Sequence, residues 1–167
     1  FEDEADVAIA QLSNRTTAAT NTSRRRLDPV GGQVIVMKKS SDGGKTWGGF
    51  QVISGAHSGY GSAKCIYDTK RNQLVTQFMR YPSGESSNTK GALLFQRVSK
   101  DGGKTWGGKR DLTSILAPCN HEGNPPGTGG GTRVQTPSGR LIFGGMAYHG
   151  ARCIWYSDDG GWTYKCT

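Results

Sequence analysis

The chain has 167 residues, 34% of them hydrophobic, with 21 Lys and Arg against 13 Asp and Glu and a net charge of +8. That length fits one ordinary domain with a real core, and no apolar run approaches the roughly 18 residues of a membrane helix, which excludes a helical membrane span. The positive balance favours anionic partners, but the one dense basic cluster, Arg24 to Arg26, has no basic helix or aromatic-basic motif beside it, so nucleic acid is not an expected partner.

In chain order, the predicted elements are short strands between turns, as the 26 scattered glycines also imply. The first is "VAIAQ" from Val7, followed by the sequons at Asn14 and Asn21, which mark candidate glycosylation sites in a secreted protein. "VIVM" at Val34 to Met37 comes next and runs into "SSDGGKTWGG", which starts at Ser40. "LVTQFM" follows the turn "DTKRNQ", and "LLFQRV" leads into "SKDGGKTWGG" at Ser99. "GTGGGT" at Gly127 to Thr132 precedes a strand and not a helix, so it does not fit a phosphate cradle. "LIF" follows the turn "TPSGR", and "CIWY" at Cys153 to Tyr156 closes on "SDDGGWTY" from Ser157. These runs are rich in β-branched and aromatic residues, and no helix is among the predicted elements.

The three related turns begin 59 and 58 residues apart, at Ser40, Ser99 and Ser157. A regular period of that length suits about four short strands per unit, the size of a propeller blade. Approximate units are 1–55, incomplete, then 56–115 and 116–167. Within the shared pattern S-x-D-x-G-x-T followed by Trp or Tyr, each letter has a mechanical use. Ser and Asp accept backbone N–H bonds, Gly supplies positive φ, Thr adds a side-chain tie and the aromatic ring covers the hairpin. The residues concerned are Ser40, Asp42, Gly44, Thr46 and Trp47; Ser99, Asp101, Gly103, Thr105 and Trp106; and Ser157, Asp159, Gly161, Thr163 and Tyr164. A calcium loop would need spaced oxygen ligands and a distal Glu that are missing from the pattern, so these are read as structural turns.

Cys65, Cys119, Cys153 and Cys166 have no C-x-x-C spacing, and two disulfides in an oxidising compartment are expected, with three pairings open. His57, His121 and His149 show no metal-ligand spacing, and no G-x-S-x-G elbow is present. No metal or other cofactor is expected. The chain begins at Phe1 without an initiator Met or signal peptide, and is read as a processed or partial piece of an extracellular protein.

The repeated turn resembles the Asp box of sialidases, whose β-propeller blades carry it. "GGQVIVMKKSSDGGKTWGGFQVI" is similar to the family's first-blade strand and box, "KCIYDTKRNQLVTQFM" to its second-blade opening, and "TPSGRLIFGGMAYHGARCIWYSDDGGWTY" to its third blade. The resemblance implies an all-β propeller of six four-stranded blades, of which about three are in this chain. It also implies an exo-α-sialidase releasing terminal sialic acid, with sialylated or other acidic glycans as partners.

In that family three arginines hold the sugar carboxylate, a Tyr assisted by a Glu is the nucleophile, and an Asp protonates the leaving oxygen. By the resemblance, Asp28, just ahead of the first strand and box, is the candidate acid; the bare letters of "LDPVGG" fit a turn as well. Arg24 fits the arginine preceding that acid, although Arg15, Arg25 and Arg26 compete for the role, and Tyr148 matches a loop that lines the sugar pocket. Where the family has "AFAE", this chain has Gln11 in place of the Glu. The nucleophilic Tyr, its Glu and two arginines are expected beyond Thr167, either in the remainder of the propeller or in a second chain. A non-catalytic propeller that binds acidic glycans or serves as a structural or adhesive module is the rival reading.

Overall fold

Runs of β-branched and aromatic residues bounded by glycine-rich turns form antiparallel ladders here, because each run buries apolar side chains against a neighbouring sheet while its backbone pairs within its own. The computed structural model describes residues 34–54, 59–81, 91–120, 124–129, 132–146 and 152–167, together with the backbone of 6–12. The first sheet orders β1 (Asp6–Leu12), β2 (Val34–Ser40) and β3 (Gln51–Val52). The second is a four-stranded meander of β4 (Tyr60–Asp68), β5 (Gln73–Arg80), β6 (Leu93–Ser99) and β7 (Arg110–Asp111). The third repeats that order with β8 (Arg133–Gln135), β9 (Leu141–Met146), β10 (Arg152–Ser157) and β11 (Lys165–Cys166). Each box joins the last two strands of its sheet.

The sheets stack face to face through two apolar clusters. Between the first and second lie Ile35, Met37, Ile53, Tyr60, Phe78 and Phe95, with the Tyr60 and Phe78 rings edge to face at 5.6 Å. Between the second and third lie Val75, Met79, Leu94, Phe143 and Trp155 among others. Strand β5 therefore sends Phe78 one way and Val75 and Met79 the other, as the period of two requires, and it is buried along almost its whole length.

Two features differ from the sequence expectation. A single helical turn, α1 (Thr113–Leu116), continues into a 3-10 turn at Ala117–Cys119. It is too short to show a helical period in the letters, and it exists to seat Leu112 and Leu116, both fully buried in the second cluster. The expected two disulfides are one: Cys119 pairs with Cys166, while Cys65 and Cys153 stay thiols. Ile66 packs in the cluster that holds Cys153, so Cys65, the preceding residue on the same strand, points to the other side of its sheet.

The Cys119–Cys166 bridge closes 47 residues of chain and ties the α1 region to the last strand. A loop of that size implies about 4 kcal/mol from lost chain entropy in the unfolded state. Cys119→Ser in the intact protein is expected to lower unfolding free energy by about 2–4 kcal/mol, read as a lower denaturant midpoint.

Candidate functional site

The sheets have two distinct ends. Antiparallel register places Ser40 opposite Asp6, Ser99 opposite Leu74 and Ser157 opposite Leu141, so all three boxes leave from one end of their sheets. Box turns also touch across sheets: Gln51 Nε2 donates to the Lys104 carbonyl at 3.2 Å, and Gln73 Nε2 to the Gly160 carbonyl at 2.9 Å. The other end carries the paired residues Leu12 and Val34, Arg80 and Leu93, and Met146 and Arg152.

At the box end every clamp is built alike. Ser40 Oγ donates to Asp42 Oδ1 at 2.7 Å and accepts the Gly44 amide at 2.8 Å, while Thr46 donates its amide and hydroxyl to the two Asp42 oxygens at 2.9 and 2.6 Å. Asp101 and Asp159 make the same bonds with Ser99 and Thr105, and with Ser157 and Thr163. The glycines are forced: Gly103 has φ +81, and a Cβ there would meet the Met37 side chain at 2.7 Å. Each carboxylate is thus occupied by its own turn.

These bonds favour ionised carboxylates. The Thr46 hydroxyl and amide, with Ser40, hold Asp42 down to about 2. At Asp159 burial pushes upward, yet the bonds from Thr163, Ser157 and Trp162 outweigh it and bring the group to about 2. A folded pKa below the unfolded value near 4 means stability is present above about pH 4 and lost as pH falls toward 2. The melting temperature should fall across that window, and a variant with Asn at 42, 101 and 159 should start lower and show a flatter acid decline.

At the opposite end the backbone is irregular. Strand β4 bulges between Gly61 and Lys64, and Ser62 there holds φ 53, a left-handed conformation that costs a non-glycine residue free energy and often marks a functional region. Tyr81 Oη lies 3.1 Å from Ser62 Oγ, and the Thr128 hydroxyl donates to the Ser62 carbonyl. Burial raises the Tyr81 phenol, which the Ser62 bond partly offsets. Beside them Arg80 ends β5, half-buried, its buried Nε without a hydrogen-bond partner among the described residues. The ion pairs among the described residues are Arg71–Asp68 and Arg140–Asp158, so the Arg80 charge is uncompensated there. A guanidinium in that condition suits a carboxylate. Its only signal in the letters was an Arg at the end of an apolar strand.

Asp28 and Arg24, with Arg15, Arg25 and Arg26, lie outside the described residues, in the segment bounded by Leu12 and Val34; Asn14 and Asn21 lie there too. Tyr148 is also outside them, between Met146 and Arg152. Both pairs of bounding residues belong to the end opposite the boxes.

A cleft of about 560 Å³ runs between β4 and β8 past Cys65, Lys70, Arg133 and Pro137. Burial pushes the Cys65 thiol up to about 12 against the pull of Arg133, so it is no nucleophile at neutral pH. Of the residues singled out from the sequence, Cys65 is the one that lines it among the described residues.

No protein-family model and no curated protein matches the chain. Solved structures do. A Hadza microbial sialidase aligns with TM-score 0.67 at 16% identity, covering 96% of this chain and 34% of that one. An N-acetylgalactosamine deacetylase from F. plautii gives 0.67 at 16%, covering 99% and 49%. A Trypanosoma rangeli sialidase gives 0.60 at 21%, covering 99% and 28%. At such identities the likeness speaks for fold alone. The chain spans about a third to a half of the length of the first solved chains it matches, and its three box-bearing sheets are part of a sialidase-like β-propeller.

Proposed function

We propose that the protein to which this chain belongs is a secreted exo-α-sialidase. The observation that carries the reading is the division of labour between the two ends: the boxes are self-contained clamps at one, and the segments holding Asp28, Arg24 and Tyr148 are bounded by strand residues of the other. In this reading Asp28 protonates the glycosidic oxygen, Arg24 and Arg80 attract the sugar carboxylate, and Tyr148 borders the ring. The nucleophilic Tyr, its Glu and the remaining arginines come from the rest of the propeller or from a second chain. Arg80 adds a specific reason for an anionic substrate at this end, since its buried Nε gains a partner when a carboxylate arrives. The Cys119–Cys166 bridge suits an oxidising compartment.

The test is release of sialic acid from a sialylated trisaccharide and from an aryl α-sialoside by the intact protein. Sialoside binding without release would favour the second reading, a non-catalytic glycan-binding propeller. One observation supports that alternative: Gln11 stands where the resemblance would put a Glu.

A further inference from the structure

The third box departs from the letters shared by the other two at its sixth and eighth positions. Where they have Lys45 and Lys104, it has Trp162, which is 71% exposed, more than any other large hydrophobic side chain among the described residues. The indole is not loosely placed. The Trp162 amide donates to Asp159 Oδ1 at 2.9 Å, and the Arg110 guanidinium lies 5.0 Å over the ring while donating to the Gly161 carbonyl at 3.0 Å. The side chain that would cover the hairpin in the other boxes is replaced by Tyr164, which turns inward to Gln77 and Gln96. Trp162 is therefore left for something outside the fold.

Beside it runs a groove of about 410 Å³ between the second and third sheets, with Arg71, Arg97, Lys100 and Arg110 on its walls. Among the described residues Asp159 is the acid that lines it, and its oxygens are occupied by Ser157, Trp162 and Thr163. Arg71 pairs with Asp68. Arg97 is locked by three carbonyls, those of Gly107, Ile53 and Trp106, so its charge is fixed in position, with no carboxylate paired to it among the described residues. Lys100 and Arg110 likewise have no ion pair among the described residues. The residues named on its walls are all among those the structure describes.

We propose that this groove binds an acidic oligosaccharide, with a sugar ring on Trp162 and sulfate or carboxylate groups on Lys100 and Arg110. A rigid indole matches the C–H face of a sugar, and held cations with no counter-charge match anions spaced along the same chain. Arg97 contributes field more than hydrogen bonds, because its nitrogens are already engaged. The site goes beyond the proposed catalytic reading: it belongs to the box end, opposite the end to which Asp28 is assigned. It would hold the protein on an anionic glycan independently of turnover.

Binding is measured with the intact protein by Trp emission and calorimetry. The probes are a heparin-derived hexasaccharide, an unsulfated uronic-acid hexasaccharide, a neutral hexasaccharide and a single-stranded oligonucleotide of equal charge. One or both acidic sugars should bind, and which one does identifies sulfate or carboxylate as the group read. Trp162→Ala and Lys100→Gln should each weaken binding by about fivefold or more, in keeping with a cation–π or exposed charge contact. Sialoside turnover and melting temperature should remain unchanged. The proposal fails if neither acidic sugar binds, if both variants bind as tightly as the parent, or if the oligonucleotide or neutral sugar binds equally well.

Discussion

Asp28→Asn in the intact protein is expected to lower kcat/KM for a sialylated trisaccharide by about 10²- to 10⁴-fold, the usual contribution of a positioned general acid. That loss corresponds to about 3–5 kcal/mol of transition-state stabilisation. It should be much smaller for an aryl α-sialoside. A phenolate leaves readily without a proton, whereas the sugar alkoxide needs one before the glycosidic bond breaks. The difference between the two substrates separates chemistry from structure: a misfolded or repositioned site would depress both equally. Loss of the pH limb set by the acid should accompany the change with the trisaccharide. Equal losses on the two substrates, or full activity on both, would remove Asp28 from the acid role. Within the chain, the letters around Asp28 fit a turn as well as an acid, so this comparison is the sharpest available.

How legible each part was depends on how far apart its partners lie. A box is local: Asp42 reaches Thr46 four residues on, and Ser40 reaches Gly44 at the same distance. Its chemistry therefore appears as a word in the sequence, three times. The strands were legible for a similar reason, since each longer one is a short run of apolar, β-branched and aromatic residues bounded by turn residues. The links between sheets leave no such mark. Lys64, buried in β4, reaches the Gly144 carbonyl across 80 residues, and burial with the nearby Arg133 charge pulls it down to about 8. Nothing around Lys64 in the sequence announces this. The cysteines show the same limit: four of them permit three pairings, and which pair forms was decided by strand parity and by the α1 turn. For Asp28, Arg24 and Tyr148 the sequence offered family resemblance and little local chemistry. For Trp162 it offered a variable position in a familiar word, whose meaning emerged only beside Arg110.

The largest stability effect should come from Trp155→Ala. Trp155 is fully buried between the second and third sheets and stacks on Phe143 with centroids 6.1 Å apart. Gly145 permits that position, because a Cβ there would meet the indole at 2.8 Å. The ring also begins a buried polar chain. Its Nε1 donates to Gln77 Oε1 at 3.1 Å, Gln77 Nε2 donates to Tyr164 Oη at 2.9 Å, Tyr164 donates to Gln96 Oε1, and Gln96 Nε2 reaches the Gly161 carbonyl at 2.9 Å. That chain joins the middle sheet to the third box through residues 65 to 87 positions apart. Alanine at 155 both opens a cavity and strands the Gln77 oxygen, so unfolding free energy should drop by about 3–5 kcal/mol. Trp155→Phe keeps most of the ring volume and removes the donor; a loss of about 1–3 kcal/mol is expected for that alone. Denaturant unfolding of the two variants separates packing from hydrogen bonding. If phenylalanine is as damaging as alanine, the polar chain dominates the joint; if it is nearly neutral, the joint is held by packing. Either result applies to the contact between adjacent sheets, which the box clamps, complete within their own turns, leave to the core.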